Sequence, residues 1–511
     1  GGGEPDRGPW SNLRPVTRQS PEGASVNVVA IMNDTWRYDY VGANGNDEIH
    51  TPVLDQFAAE SAVFDRSYAG SYPTVPIRHD ILKGRFGAPF HKWGPLEWDA
   101  LTLPEVLREH GYVTMLIHST PHLINYGYGF DRPFHAWEMI RGAEIDRWKT
   151  DYFQQYALPH REKFNSDEHM AMYHRGATYR RSEAEKDAPR VMQAACDWLE
   201  RNAGHDNFFL WVDSFDPHEP WDPPPHYIDL YSHDYDGADI FWPKYTDASF
   251  YTPGEAERMR ARYMGEITMC DRWIGRVLDT IDRVGRRHDT IVVLMSDHGH
   301  MFGEHGRVSK WGGWLELWDE CAHQFFMVRH PDGLRSGTRV GGLVQPADIA
   351  PSILEMAGIA APAEMEMQGH SWLPLIDGRK RSIRPAAISA DLPGQWGIDE
   401  DPAVSNNRWA VTVSTLRWQL IDFPDPAWRE LYDLSAPGGS QQNVITGNED
   451  VAERLHRNLL AVLDRHDPGG WMYRAFRDGA DAAKLPPLTE FRENVLTRGR
   501  PRANTPPGRI G

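Results

Sequence analysis

Apolar residues along this chain fall into short unbroken runs before they fall into any alternation. Val26–Met32, Tyr112–Ile117, Phe208–Asp213 and Thr290–Ser296 are four such runs. Runs of this kind predict strands buried on both faces, as in a parallel sheet covered by helices. Helical spacing fills the gaps between them. Thr51-Pro52 ahead of Leu54, Phe57 and Ala58 predicts a capped helix with proline in its first turn. Thr102-Leu-Pro-Glu105 has the form of a capping box, and Gly111 is placed to stop the helix it opens. Val191, Ala195, Trp198 and Leu199 share one face of a helix over 188–201. Met264, Ile267, Trp273, Ile274, Val277, Leu278 and Ile281 mark a longer helix over about 254–284. Strand and helix alternating in this way predict an α/β sandwich with a mostly parallel central sheet flanked by helices.

Two stretches break the rhythm. Residues 131–181 are rich in aromatic and charged side chains (Trp137, Trp148, Tyr152, Phe153, Tyr156) without a clean period. They are expected to form a large surface insertion that either shapes a substrate pocket or packs over the sheet or against another subunit. A second excursion, 221–252, carries too much proline to be regular throughout. Beyond about residue 379 the pieces shorten to Trp409–Ser414, Leu416–Ile421 and Glu430–Asp433, then a helix over 451–466, which predicts a small α+β C-terminal subdomain. The expected organisation is a flexible segment 1–25, a catalytic unit 26–378, the C-terminal subdomain 379–496 and a tail 497–511. That tail, dense in Arg, Pro and Gly, is expected to be disordered or to act as an arm within a homo-oligomer.

Composition narrows the class of function. With 511 residues the chain exceeds the roughly 250–300 at which single cores stop growing. A net charge of −19 argues against nonspecific binding to nucleic acid or to an anionic membrane. Cys196, Cys270 and Cys321 are too widely spaced for a disulfide framework or a zinc knot, and no apolar run approaches a membrane span. A cytoplasmic protein acting on a small anionic substrate is the expectation.

The candidate chemistry sits where the predicted strands end. Asp34 follows the first run, and Asp297-His298 follow the last. In open α/β sheets functional groups gather at the carboxyl ends of strands. Two carboxylates, an imidazole and the Thr74 hydroxyl form a donor set suited to one divalent ion, Mn, Zn, Ca or Mg. Thr74 begins Thr74-x-Pro76-x-Arg78, read as a nucleophile loop in which coordination to the ion activates the hydroxyl. Arg78 is a candidate to hold that loop and the substrate's anionic oxygens, and Lys310 and His218 to neutralise charge or protonate a leaving group.

These motifs together resemble the sulfatase-like branch of the alkaline phosphatase superfamily, over roughly 26–466. The matching features are Asp34 with Arg37, the T-x-P-x-R segment with Gly84-Arg85, and Gly111-Tyr-x-Thr-x-x-Ile117. Pro217-His218-x-Pro220, Ser296-Asp297-His298-Gly299 with Gly303-Glu-His-Gly306, Lys310 and Glu430–Leu434 complete the set. The resemblance implies an alkaline-phosphatase-like sandwich and a metal-dependent ester hydrolase. Three departures bear on its chemistry. Thr74 stands where sulfatases carry the Cys or Ser that becomes formylglycine, so no formylglycine is expected. Asn33-Asp34 leaves one carboxylate after the first strand, as in phosphonate monoester hydrolases and phosphodiesterases. His118-Ser119 replaces a Gly-Lys, and His118 or His122 is expected to take over substrate binding from that lysine. The resulting expectation is hydrolysis of phosphate or phosphonate esters through Thr74. A sulfatase working without formylglycine and an anion-binding pseudoenzyme are its rivals.

Overall fold

A computed structural model describes residues 26–87, 93–151, 160–310, 316–391 and 410–479. The expected N-terminal segment and tail, and Tyr152, Phe153, Tyr156 and Trp409, lie outside them. Eight strands form the central sheet: β1 (Asn27–Asn33), β2 (Ala62–Phe64), β3 (Val113–His118), β4 (Ala136–Met139), β5 (Phe208–Ser214), β6 (Thr290–Ser296), β7 (Phe326–Arg329) and β8 (Thr338–Val340). Their order is β8-β2-β7-β6-β1-β5-β3-β4, and only β7 runs against its neighbours. Every residue of β1, β5 and β6 is buried. The continuous apolar runs follow directly: Val28, Ala30 and Met32 pack into one layer while Val29 and Ile31 pack into the other.

Helices fill both layers. On one face lie α1 (Pro52–Ala59), α5 (Asp187–Asn202) and the long α6 (Pro253–Arg283); on the other lie α2 (Thr74–Lys83), α3 (Leu103–Glu109) and α7 (Ile349–Met356). The capping box is present at α3, where Glu105 accepts from the Thr102 N–H at 3.0 Å, and Gly111 takes the left-handed φ of 86° that stops the helix. None of the described helices is long and apolar enough to cross a membrane.

Two expectations are corrected. T-x-P-x-R is no loop: Thr74 is the first residue of α2, and Pro76 sits in the first turn, where a missing N–H breaks no helical bond. The stretch 131–181 is more than a surface insertion, because β4 extends the central sheet in parallel with β3, from Met115↔Ala136 to His118↔Met139, and α4 (Asp167–Ala177) follows. Its aromatic-rich sequence hid a four-residue edge strand too short to show a period.

A second sheet, β9 (Ala387–Ala390), β10 (Val411–Ser414), β11 (Trp418–Asp422) and β12 (Glu430–Asp433), is antiparallel throughout and packs against α8 (Glu449–His466). Its edge reaches the segment that precedes α2. Tyr72 N donates to Ala390 O at 2.9 Å and Ala390 N to Gly70 O at 3.0 Å, so β9 braces the segment that leads into α2.

Candidate active site

Register brings the functional groups level. Asn33 pairs with both Ser214 and Ser296, and His118 pairs with Asp213, so the carboxyl ends of β1, β3, β5 and β6 finish on one line. Asp34, Asp297 and His298 continue from those ends, fully buried, with one ligand atom each within 4.8 Å of the others. Thr35 ties the two strand ends together from a left-handed φ of 62°, a costly conformation for a β-branched residue. Its N–H donates to Asp297 Oδ1 at 2.8 Å and its hydroxyl to Asp34 Oδ1 at 2.8 Å.

The electrostatics favour a cation at this point. Burial and then the Asp297 charge push the Asp34 carboxyl well above its ordinary range. Burial opposes ionisation of Asp297 too, but the His298 ring and the Arg78 guanidinium outweigh it and hold Asp297 low. Burial lowers His298 to about 4, leaving a neutral imidazole. Its Nδ1 donates to Gly299 O at 3.1 Å, which turns the lone pair of Nε2 inward, 3.5 Å from Asp34 Oδ1. Asp34 Oδ2 and His298 Nε2 are buried and make no directed hydrogen bond among the described residues. Two buried acceptors without directed hydrogen bonds, beside the second carboxylate of Asp297, are what a divalent ion satisfies, so the residues present fit one.

Thr74 is buried at the N-terminus of α2, and Arg78 lies one turn below it. Nη1 of Arg78 donates to Thr74 O at 3.1 Å, lies 3.2 Å from Asp34 Oδ2 and is paired with Asp297. Nε and Nη2 form a fork onto Asp213 at 3.0 and 2.8 Å. The guanidinium is thereby committed to protein groups, a tether for Thr74 rather than a clasp for substrate. Asp213 also accepts from Thr120 Oγ1 at 2.6 Å and Trp211 Nε1 at 3.2 Å.

Lys310 and His218 meet on Glu219. Lys310 Nζ lies 3.3 Å and His218 Nδ1 3.5 Å from Glu219 Oε2, and the Tyr245 hydroxyl donates to Oε1. Tyr72 connects this group to the Asp34/Asp297/His298 cluster: its ring centroid is 4.9 Å from that of His298, and its hydroxyl donates to Lys310 O at 2.7 Å. The two histidines expected near substrate part company. His118 is fully buried, its Nδ1 on Thr120 O at 3.1 Å, and is removed from solvent by the strand it ends. His122 keeps some exposure and pairs with Glu144 at 2.9 Å.

Asp213, Glu219, Glu144 and Thr35 were missed by sequence reasoning. Asp213 carried the same signal as Asp34, an acid closing a continuous apolar run. Glu219 was visible only as the residue between His218 and Pro220, and a left-handed Thr35 left no mark at all.

A mostly parallel sheet whose strand ends carry a buried Asp/Asp/His group, with Thr74 at the start of a helix tied to it through Arg78, is an arrangement suited to metal-assisted ester hydrolysis. The sulfatase family model matches residues 26–359, and this chain belongs to that family. A second model, of the C-terminal part of N-sulphoglucosamine sulphohydrolase, matches residues 303–465. The chain is 22% identical over 527 residues to an N-acetylglucosamine-6-O-sulfatase of Bacteroides thetaiotaomicron, covering 87% of each chain. It is 25% identical over 487 residues to an arylsulfatase of Clostridium perfringens, covering 87% of this chain and 95% of that one. Among solved structures, the phosphonate monoester hydrolase of Agrobacterium radiobacter superposes with a TM-score of 0.67 at 21% identity, covering 86% of this chain and 96% of that one.

Proposed function

We propose that the protein is a metal-dependent hydrolase of phosphate or phosphonate esters that works through a covalent intermediate on Thr74. The observation that carries this reading is Thr74 itself, a buried residue that begins α2 and whose main-chain carbonyl Arg78 ties to Asp34 and Asp297. Its β-carbon already bears a methyl group, so oxidation cannot yield the aldehyde of formylglycine. Without that aldehyde an intermediate leaves only by attack of water on the transferred group, a route suited to phosphoryl and phosphonyl esters.

A divalent ion held by Asp34, Asp297, His298 and the Thr74 oxygen would supply the charge that lowers the pKa of the hydroxyl and offsets that of the ester. Thr74 Oγ1 gives up its proton to water and forms the bond to phosphorus as the bond to the alcohol oxygen breaks, and the departing oxygen takes a proton from water. Arg78 keeps Thr74 in place, with Asp213 neutralising its charge. Lys310, held by Glu219, offers its remaining N–H groups to the anionic oxygens. Burial keeps His218 neutral, well below its ordinary pKa. Its Nδ1 can only donate to the Glu219 carbonyl it faces, so Nε2 is left as an acceptor. That tautomer suits a base taking the proton of the water that releases the threonyl ester, more than an acid for the leaving group.

The sulfatase family match and the names of the sulfatase relatives favour a second reading, hydrolysis of sulfuric esters at the same site. Metal-reconstituted protein assayed on matched aryl phosphate monoester, phosphodiester, phosphonate and sulfate substrates separates the two. A phosphoryl or phosphonyl ester is expected to lead, with Thr74→Ala losing at least about a thousandfold in kcat. Sulfate leading by a clear margin would overturn the first reading in favour of the second, and no turnover of any ester would overturn both.

A further inference from the structure

The turn 141–146 is built from behind with more care than a surface connection needs. Asp146, buried, accepts from Arg141 Nε and Nη2 and from Gly142 N, each at 2.8 Å. Arg180 Nη2 donates to Gly142 O at 2.7 Å and Arg190 Nη1 to Arg141 O at 2.9 Å. Helix α4 presses on the same turn at Gly176, where a Cβ would come within 2.8 Å of Gly142 O. At the front of this scaffold stands Glu144, held at a φ of 39° that a long side chain rarely adopts. A strained residue on an over-determined turn is the pattern of a group whose position matters.

The Glu144 carboxylate points toward the candidate active site. Oε2 lies 2.9 Å from His122 Nε2, with the side chain 13% exposed. The His122 ring meets Phe215 edge-on at 5.8 Å, and Phe215 stacks on His218 at 4.0 Å. Trp93 closes the other side of His122 at 5.4 Å. Beyond its pair with His122, Glu144 Oε2 accepts no hydrogen bond among the described residues, so its remaining lone pairs can still accept. The ester's anionic oxygens cannot rest against a carboxylate. What can is the alcohol portion.

We propose that Glu144, oriented by a His122 ring that Trp93 and Phe215 hold from either side, forms a leaving-group subsite that selects alcohols carrying an O–H or N–H donor next to the ester oxygen. The proposal rests on the ester-hydrolase reading above and adds to it the class of alcohol. Glu144 is a specificity determinant here, since it touches the part of the substrate that departs and none of the reacting atoms.

The test compares kcat/KM for cyclohexyl, 2-hydroxycyclohexyl and 2-aminocyclohexyl esters of whichever anion the aryl panel favours. Wild-type protein is expected to prefer at least one donor-bearing ester over the plain one by about tenfold or more, the scale of one hydrogen bond to a charged group. In Glu144→Gly, whose new residue suits the backbone, that ratio is expected to fall to within about twofold of one, whatever change the esters share. Glu144→Gln separates the two donors: a hydroxyl preference survives it, and an ammonium preference does not. A wild-type ratio near one, or a ratio that Glu144→Gly leaves unchanged while all esters slow together, overturns the subsite alone. A wild type silent on aryl and cyclohexyl esters alike overturns the subsite together with the reading beneath it.

Discussion

Arg78 is useful beneath Thr74 only while its charge is answered, and Asp213 supplies half of the answer through two hydrogen bonds. Removing one partner of a buried pair strands the other. Asp213→Asn is therefore expected to destabilise the protein by about 3 kcal/mol in urea unfolding and to lower kcat for every ester together. An unchanged midpoint would mean the fork contributes nothing. At this scale Asp34, Asp297 and His298 were legible because each follows a buried strand, and strand ends are where an α/β sheet exposes chemistry. Asp213 closes a buried strand just as visibly, but its pairing with Arg78 across 135 positions, that of Glu219 with Lys310 across 91, and the turn that presents Glu144 are encoded by no local pattern.

Pro73 and Pro76 give the start of α2 the texture of a loop, yet both lie where a helix needs no N–H from them. The strand β4 was hidden for the opposite reason, being an edge strand whose Ala136, Trp137 and Glu138 are exposed and show no buried run. Long, doubly buried elements were legible, since their whole length is apolar on one or both faces. Just after β6 the chain passes Gly299 so closely that an added Cβ would lie 2.0 Å from Glu320 O and 2.6 Å from Arg37 Cγ. Gly299→Ala is expected to cost about 1–3 kcal/mol of stability, because backbone must move. The same shift displaces the carbonyl that orients His298, so calorimetric titration with Mn or Zn should show weakened binding in any fraction that folds.

Across the whole molecule, the layered architecture was legible from strand–helix alternation, while the bracing of the Thr74 segment by β9 was not, since it joins residues more than 300 positions apart through backbone alone. Burial also sets how the molecule meets acid. His118, His218, His298 and His300 are all pushed below the ordinary histidine range, chiefly by desolvation. For His118 the folded value is about 4 against 6.5 unfolded, so between those values the unfolded chain binds the extra proton. Stability is full above pH 6.5 and is lost as pH falls toward 4, by about 2 kcal/mol for this residue between pH 7 and 5. Urea melts of His118→Asn should show a correspondingly shallower loss over that interval, and a slope equal to wild type would contradict a neutral buried His118.

The claim on which the rest depends is that the Thr74 hydroxyl becomes covalently bound to the transferred group. Acid-quenching metal-reconstituted protein during turnover of a phosphonate or phosphate ester, then weighing the peptide that contains Thr74, tests it directly. The account predicts a mass gain equal to the transferred phosphonyl or phosphoryl group on Thr74, absent in Thr74→Ala, which no longer turns over. An unmodified Thr74 in actively cycling enzyme, with Thr74→Ala as fast as wild type, would contradict it.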